Sequence, residues 1–311
     1  MSSETLSPRM LALKSWVVAT IPCEGNSLVL RQALREMRLH TLLIYYMAWV
    51  DRLIAPRKRR TKFAQNFWQG LSDHQLVNIR RIAQMSEKGD DLRPFLSRLV
   101  DTHGFTFSNV APTPKKKWAD GGRGNKDFAL NTLDAHHLHL VARMADRRKG
   151  QSSDLLYVLV SRNEMNMVML GDHKTFDDGR LKAAIARERF DDWKLSGITP
   201  PRGPDWTDEE ERRLARNGFV RAEVVDDAVV LLNPTAMDGS SLFHVRHADK
   251  IMMFLHEWDA ALDDPSERRR LEGRVALPLG SLDHFRWAFW YGDFCLLPSG
   301  GKGVCLFPWK R

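Results

Sequence analysis

Four histidines fall between positions 136 and 173 of this chain, in His136-His137-Leu138-His139 and in Asp172-His173. If the first group lies on a strand, alternation sends His137 and His139 to one face and Leu138 and Leu140 to the other. An ordered imidazole pair of that kind has three chemical readings. In the first, His137 and His139 chelate a metal and His173 or Asp172 completes the shell, since imidazole and carboxylate suit zinc, iron or manganese. The spacing His-x-His fits a strand ligand pair but is weakly specific, and no HExxH helix or cysteine pair strengthens it. In the second, two imidazoles work without a metal, because their ordinary pKa lies near neutrality. One takes the proton of a ribose 2′-hydroxyl and the other protonates the leaving 5′-oxygen, while Arg143 or Lys174 stabilises charge at phosphorus. In the third, the rings are structural, hydrogen-bonded beneath loops.

A second group, His244-Val245-Arg246-His247-Ala248-Asp249, reads as a strand-to-helix junction. There His247 or Asp249 could cap the helix, or the segment could complete the first histidine site. Two basic stretches are candidates for phosphate contact. One is Arg57, Lys58, Arg59, Arg60 and Lys62, followed by Phe63, Phe67 and Trp68. The other is Lys115, Lys116 and Lys117 beside Trp118. Cations next to aromatic rings combine phosphate attraction with base stacking, although such runs are commonly just solvated helix ends. Gly121-Gly122-Arg123-Gly124 lacks the spacing of a phosphate-binding loop, and no GxSxG elbow is present.

These residues need a framework, and the chain is long enough to supply one. Its 311 residues, 43% hydrophobic with ten Trp and fifteen Phe, argue for a buried core rather than disorder. A net charge of +8 suggests an anionic partner, most simply nucleic acid. Three cysteines without a CxxC pair argue against a cysteine zinc site or a disulfide framework. Cys295 and Cys305 could meet across a hairpin, and two reduced, buried thiols is the plainer expectation. Met1 to Pro8 lacks the pattern of a secretory signal. The longest apolar run, Leu42 to Val50, is far short of the ~20 residues that span a bilayer. A cytoplasmic protein without membrane contact is expected.

Periodicity predicts an α+β fold, with a helical N-terminal third followed by short antiparallel β units with flanking helices. One long helix is expected over 27–55, with apolar positions Leu30, Leu34, Met37, Thr41 and Ile44, stopped by Pro56. A second covers Ser72 to Lys88, with Ser72 and Gln75 at capping-box spacing. A third starts near Asp90 or Asp91. Residues 1–107 thus read as a helical region. Residues 108–126, rich in Pro, Gly and Lys, read as a linker or loop, and 127–311 as an α+β region with two strand-hairpin-helix units. Its strands are expected near 137–142, 155–161 and 165–171, then 219–225 and 228–233 across Asp226-Asp227, then 242–245. Helices are expected over 247–262 and 285–291, with a last hairpin tipped by Ser299 to Gly303.

The helix–sheet–histidine layout resembles small bacterial ribonuclease toxins built on a short antiparallel sheet, by analogy of layout and not of motif. The histidine site together with the basic surface predicts an endoribonuclease of toxin or anti-phage type. A metal-dependent hydrolase or oxygenase and a non-enzymatic nucleic-acid-binding protein are the alternatives. The cofactor is open, a divalent metal being the one candidate, and so are oligomeric state and any protein partner.

Overall fold

The computed structural model describes residues 5–105, 127–143, 153–175, 179–200, 207, 210, 222–236, 240–275, 285–298 and 303–310. The basic stretch Lys115 to Trp118 and the 108–126 segment lie outside these residues. The fold is α+β with a mainly helical N-terminal third. It divides into two compact units that interleave in sequence. Unit one comprises Met1–Asp51, Asp101–Phe107 and Phe243–Arg311; unit two comprises Arg52–Val100 and Ser108–Leu242. The observed division therefore falls at Asp51, directly after an apolar helix.

Unit two is built on a four-stranded sheet with order β1-β4-β3-β2, from β1 (Arg60–Phe63), β2 (Ala135–His139), β3 (Leu155–Val160) and β4 (Glu164–Gly171). β2, β3 and β4 form an antiparallel meander, and β1 joins its edge parallel to β4. β3 reads LLYVLV and is buried throughout, as a central strand covered on both faces should be. Leu156, Val158 and Val160 pack on one face with Leu138, Met165 and Met167, against Ile79, Ile82 and Phe95. Leu155, Tyr157 and Leu159 pack on the other, against Leu181, Ile185 and the hairpin of β5 (Ala222–Val225) and β6 (Ala228–Leu231). Asp226 and Asp227 both take positive φ there, 47° and 60°, which suits a tight two-residue turn.

Unit one pairs helices with a three-stranded antiparallel sheet of β7 (Phe285–Trp290), β8 (Asp293–Pro298) and β9 (Val304–Phe307). Its core is aromatic. Tyr46 lies 4.6 Å from Phe289 between ring centroids, and Trp287 stacks on Phe294 at 5.4 Å. The apolar run is interior, as expected: Leu42, Leu43, Met47 and Trp49 are buried, and Tyr45 is half-buried edge-on to Phe105. Among the described residues, no helix is long and apolar enough to cross a membrane.

Four local expectations need correction. The 27–55 helix is two helices, Leu28–Glu36 and Leu39–Val50, because Met37 and Arg38 are extended, with ψ of 149° and 147°. The buried set runs Leu30, Leu34, then Leu39, Leu42, Leu43 and Tyr46, while Thr41 is exposed. The five-residue step from Leu34 to Leu39 cannot stay on one face of a continuous helix. Residues 1–107 are not helical throughout, since β1 lies among the cations of the basic run. Residues 242–245 belong to a helix, Leu242–Trp258, whose buried His244, His247, Ala248, Ile251, Leu255 and Trp258 recur at three- and four-residue steps. Residues 285–290 are a strand rather than a helix. Phe285, Trp287 and Phe289 are buried while Arg286 and Trp290 are exposed, a period of two. By contrast, the helix Asp73–Lys88 carries both bonds of the Ser72–Gln75 capping box and ends at Gly89, φ 82°.

Candidate functional site

The histidine site sits at one end of the unit-two sheet, and strand register explains why its members meet. His139 pairs with Leu155, and Leu155 pairs with Gly171, so the end of β4 is level with the end of β2. The chain leaves β4 into a turn at Asp172–Thr175, which brings His173 to within 6.1 Å of His139 between ring centroids. His137, two residues earlier on the same strand face, lies 6.4 Å from His139 and 6.5 Å from Tyr157. His137, His139 and His173 therefore form a continuous row of rings. His139 is buried, at 5% exposure, while His137 is partly open and His173 exposed. His136, one residue out of phase, is buried beside Leu138 and takes no part in the row.

Asp172 holds the turn and not a ring. Its Oδ1 accepts from the Lys174 amide at 2.8 Å, the Thr175 amide at 3.0 Å and the Thr175 hydroxyl at 3.2 Å. The Lys174 amide is the main reason its carboxyl is held below the usual range. The Tyr157 hydroxyl donates to the Asp172 carbonyl at 2.8 Å, tying the turn to the sheet. Gly171 is required by close approach, because a side chain there would run into the hydroxyl of Thr175.

Two participants escaped the sequence reading. Asp127 caps the helix Phe128–Leu133 through Leu130, and its Oδ2 stands 3.8 Å from His137 Nδ1. Arg180 opens the helix Arg180–Glu188 and donates to the Thr175 hydroxyl at 3.2 Å, placing a cation on the turn of His173. The available signal was its position. A cation in the first helical turn opposes the helix dipole, so it calls for another reason. Lys174 is exposed on the same turn. The Arg143 backbone amide donates to the Pro94 carbonyl at 2.8 Å.

Among the described residues, no group of three His, Cys, Asp or Glu side chains is arranged to hold a metal ion.

The cations at 57–62 split between structure and surface. Arg59 is buried and donates to the carbonyls of Ser161, Ala55 and Arg57, with burial lowering its pKa to about 10. Lys58, Arg60 and Lys62 are exposed, and Lys62 meets Glu164 at 2.7 Å. Phe63, Phe67 and the exposed Trp68 cluster beside them, with Phe63 and Trp68 4.4 Å apart.

Unit one carries the other histidine pair, and it differs in every respect. His244 Nε2 meets Asp51 Oδ2 at 3.0 Å, while Asp51 Oδ1 accepts from Trp309 Nε1 and Lys310 Nζ, both at 2.9 Å. Among the described residues, the buried His244 Nδ1 has no hydrogen-bond partner. The Trp309 ring covers both His244 and His247, at 5.5 and 5.0 Å. His247 meets the Gly292 carbonyl at 3.2 Å, and burial pushes its pKa down to about 4.

No family model, curated protein or solved structure matches the chain.

Proposed function

We propose that the chain is a metal-independent endoribonuclease whose site is the His137–His139–His173 row of unit two. The observation that carries the reading is the convergence of His139 and His173, from separate segments, at 6.1 Å. Both rings are within reach of one phosphodiester, so one could accept the 2′-hydroxyl proton while the other donates to the 5′-oxygen. The reaction leaves a 2′,3′-cyclic phosphate and a free 5′-hydroxyl. Lys174 on the turn and Arg180, bonded to it through Thr175, offer charge to the equatorial oxygens, as does Arg143 just beyond the strand in this reading. Asp127, 3.8 Å from His137 Nδ1, sets a carboxylate beside that ring. Lys58, Arg60 and Lys62, with Trp68, form the described part of the RNA-contacting surface in this reading, and the net charge of +8 favours binding. A cytosolic toxin or anti-phage role is the setting that fits such an activity.

The test is incubation of purified protein with a single-stranded RNA oligonucleotide in excess chelator. Cleavage to products ending in 2′,3′-cyclic phosphate supports the reading. Activity that returns only with added divalent metal moves the site to the metal-hydrolase class. Binding of RNA without cleavage makes the chain a nucleic-acid-binding protein.

A further inference from the structure

The unit-one sheet carries two of the three cysteines on neighbouring strands, with Cys295 of β8 directly opposite Cys305 of β9. Directly opposed residues of an antiparallel pair have Cα atoms roughly 4.5 or 5.5 Å apart, inside the ~4.4–6.8 Å span of disulfides. The Cys305 thiol is near enough to Cys295 to raise its pKa. Cys295 is buried, its Sγ also donating to the Asp293 carbonyl at 3.4 Å, whereas Cys305 is exposed. We propose that Cys295 and Cys305 are a reversible dithiol site, oxidised to an intramolecular disulfide by hydroperoxides.

The asymmetry assigns the steps. The contact with Cys305, then burial, push the Cys295 thiol well above its ordinary pKa. Cys305 is the thiol that meets the oxidant. Its thiolate attacks the terminal peroxide oxygen, breaking the O–O bond, giving a sulfenic acid and releasing hydroxide from hydrogen peroxide or an alkoxide from an organic hydroperoxide, which is protonated to water or an alcohol. Cys295 sulfur then attacks the Cys305 sulfur, and hydroxide leaves carrying the Cys295 proton as water. Overall two thiols and one hydroperoxide give one disulfide, with the peroxide reduced. β9 runs within two residues into Trp309 and Lys310, both bonded to Asp51. The bridge would therefore tie the strand that delivers this buried cluster to its neighbour.

The full chain is treated with hydrogen peroxide, then unfolded, alkylated and mapped by peptide mass. The expected result is loss of two hydrogens, protection of Cys295 and Cys305 from alkylation, one Cys295–Cys305 linked peptide, and full recovery of both thiols after dithiothreitol. Cys295→Ser should let Cys305 proceed to sulfinic and sulfonic acid, for want of a resolving thiol. The proposal is overturned if wild-type Cys305 reaches those acids, links two chains, or remains a thiol, while Cys295 stays open to alkylation.

Discussion

Two histidine constellations in one chain show how little residue type says about role. In unit one, Asp51, His244, Trp309 and Lys310 form a closed set in which the carboxylate is shared among three donors and Trp309 lies over the rings. In unit two, His137, His139 and His173 are graded from partly open to buried to exposed along the end of a sheet. An Asp–His contact at 3.0 Å looks more like machinery than rings 6.1 Å apart. Access reverses that impression. A sealed pair is closed to a ligand, while a row that ends in the exposed His173 is the one of the two that solvent reaches.

The comparison is broken most forcefully at Asp51. Replacing it with Ala leaves Lys310, Trp309 Nε1 and His244 without their shared acceptor, and removing one partner from a buried ion pair costs about 3–5 kcal/mol. Urea unfolding of Asp51→Ala should show that loss, with RNA cleavage by the remaining folded protein unchanged. A loss below about 1 kcal/mol would mean that water reaches the cluster and that it is not sealed.

His247 gives the next effect, through pH. Its pKa near 4 lies below the ~6.5 of an unfolded histidine, so the unfolded chain takes up the proton first. This group's contribution is complete above about pH 6.5, falls as pH drops from there toward 4, and is gone below. Its size is on the order of 3 kcal/mol. His247→Gln should therefore flatten the stability profile between pH 6.5 and 4, as measured by urea midpoints across that range.

The smallest effect sharpens the other side. Tyr157→Phe removes the hydroxyl that holds the Asp172 carbonyl, which should cost about 1 kcal/mol. Because that bond steadies the turn of His173, cleavage should slow several-fold through kcat, with KM little changed. Unaltered kcat would detach the turn from the chemistry.

Much of the unit-two site was legible because its logic is local. Alternation alone placed His137 and His139 together, and the hairpin of β3 and β4 returned His173 to the same end. Whether His173 could reach that level was not readable, since it depends on strand offset: only the pairing of Leu155 with both His139 and Gly171 settles it. Arg180 and Asp127 were missed because they arrive from helix starts. Unit one was harder to read, because its segments come from both ends of the chain. No local pattern links Asp51 to His244 or Trp309. At Phe285 to Trp290 the aromatic composition suggests a helix, but Phe285, Trp287 and Phe289 stand at every second position, which is a strand's period.

The most direct test sets His173→Ala beside Asp51→Ala in the same two assays, cleavage of single-stranded RNA in chelator and urea unfolding. His173 is exposed on a turn, so its removal should leave the unfolding midpoint nearly unchanged while cleavage falls by about 10²–10⁴-fold, the range for a lost acid–base group. Asp51→Ala should do the reverse. His173→Ala that cleaves like the wild type, or that unfolds as readily as Asp51→Ala, would contradict the assignment of chemistry to the open row and structure to the sealed one.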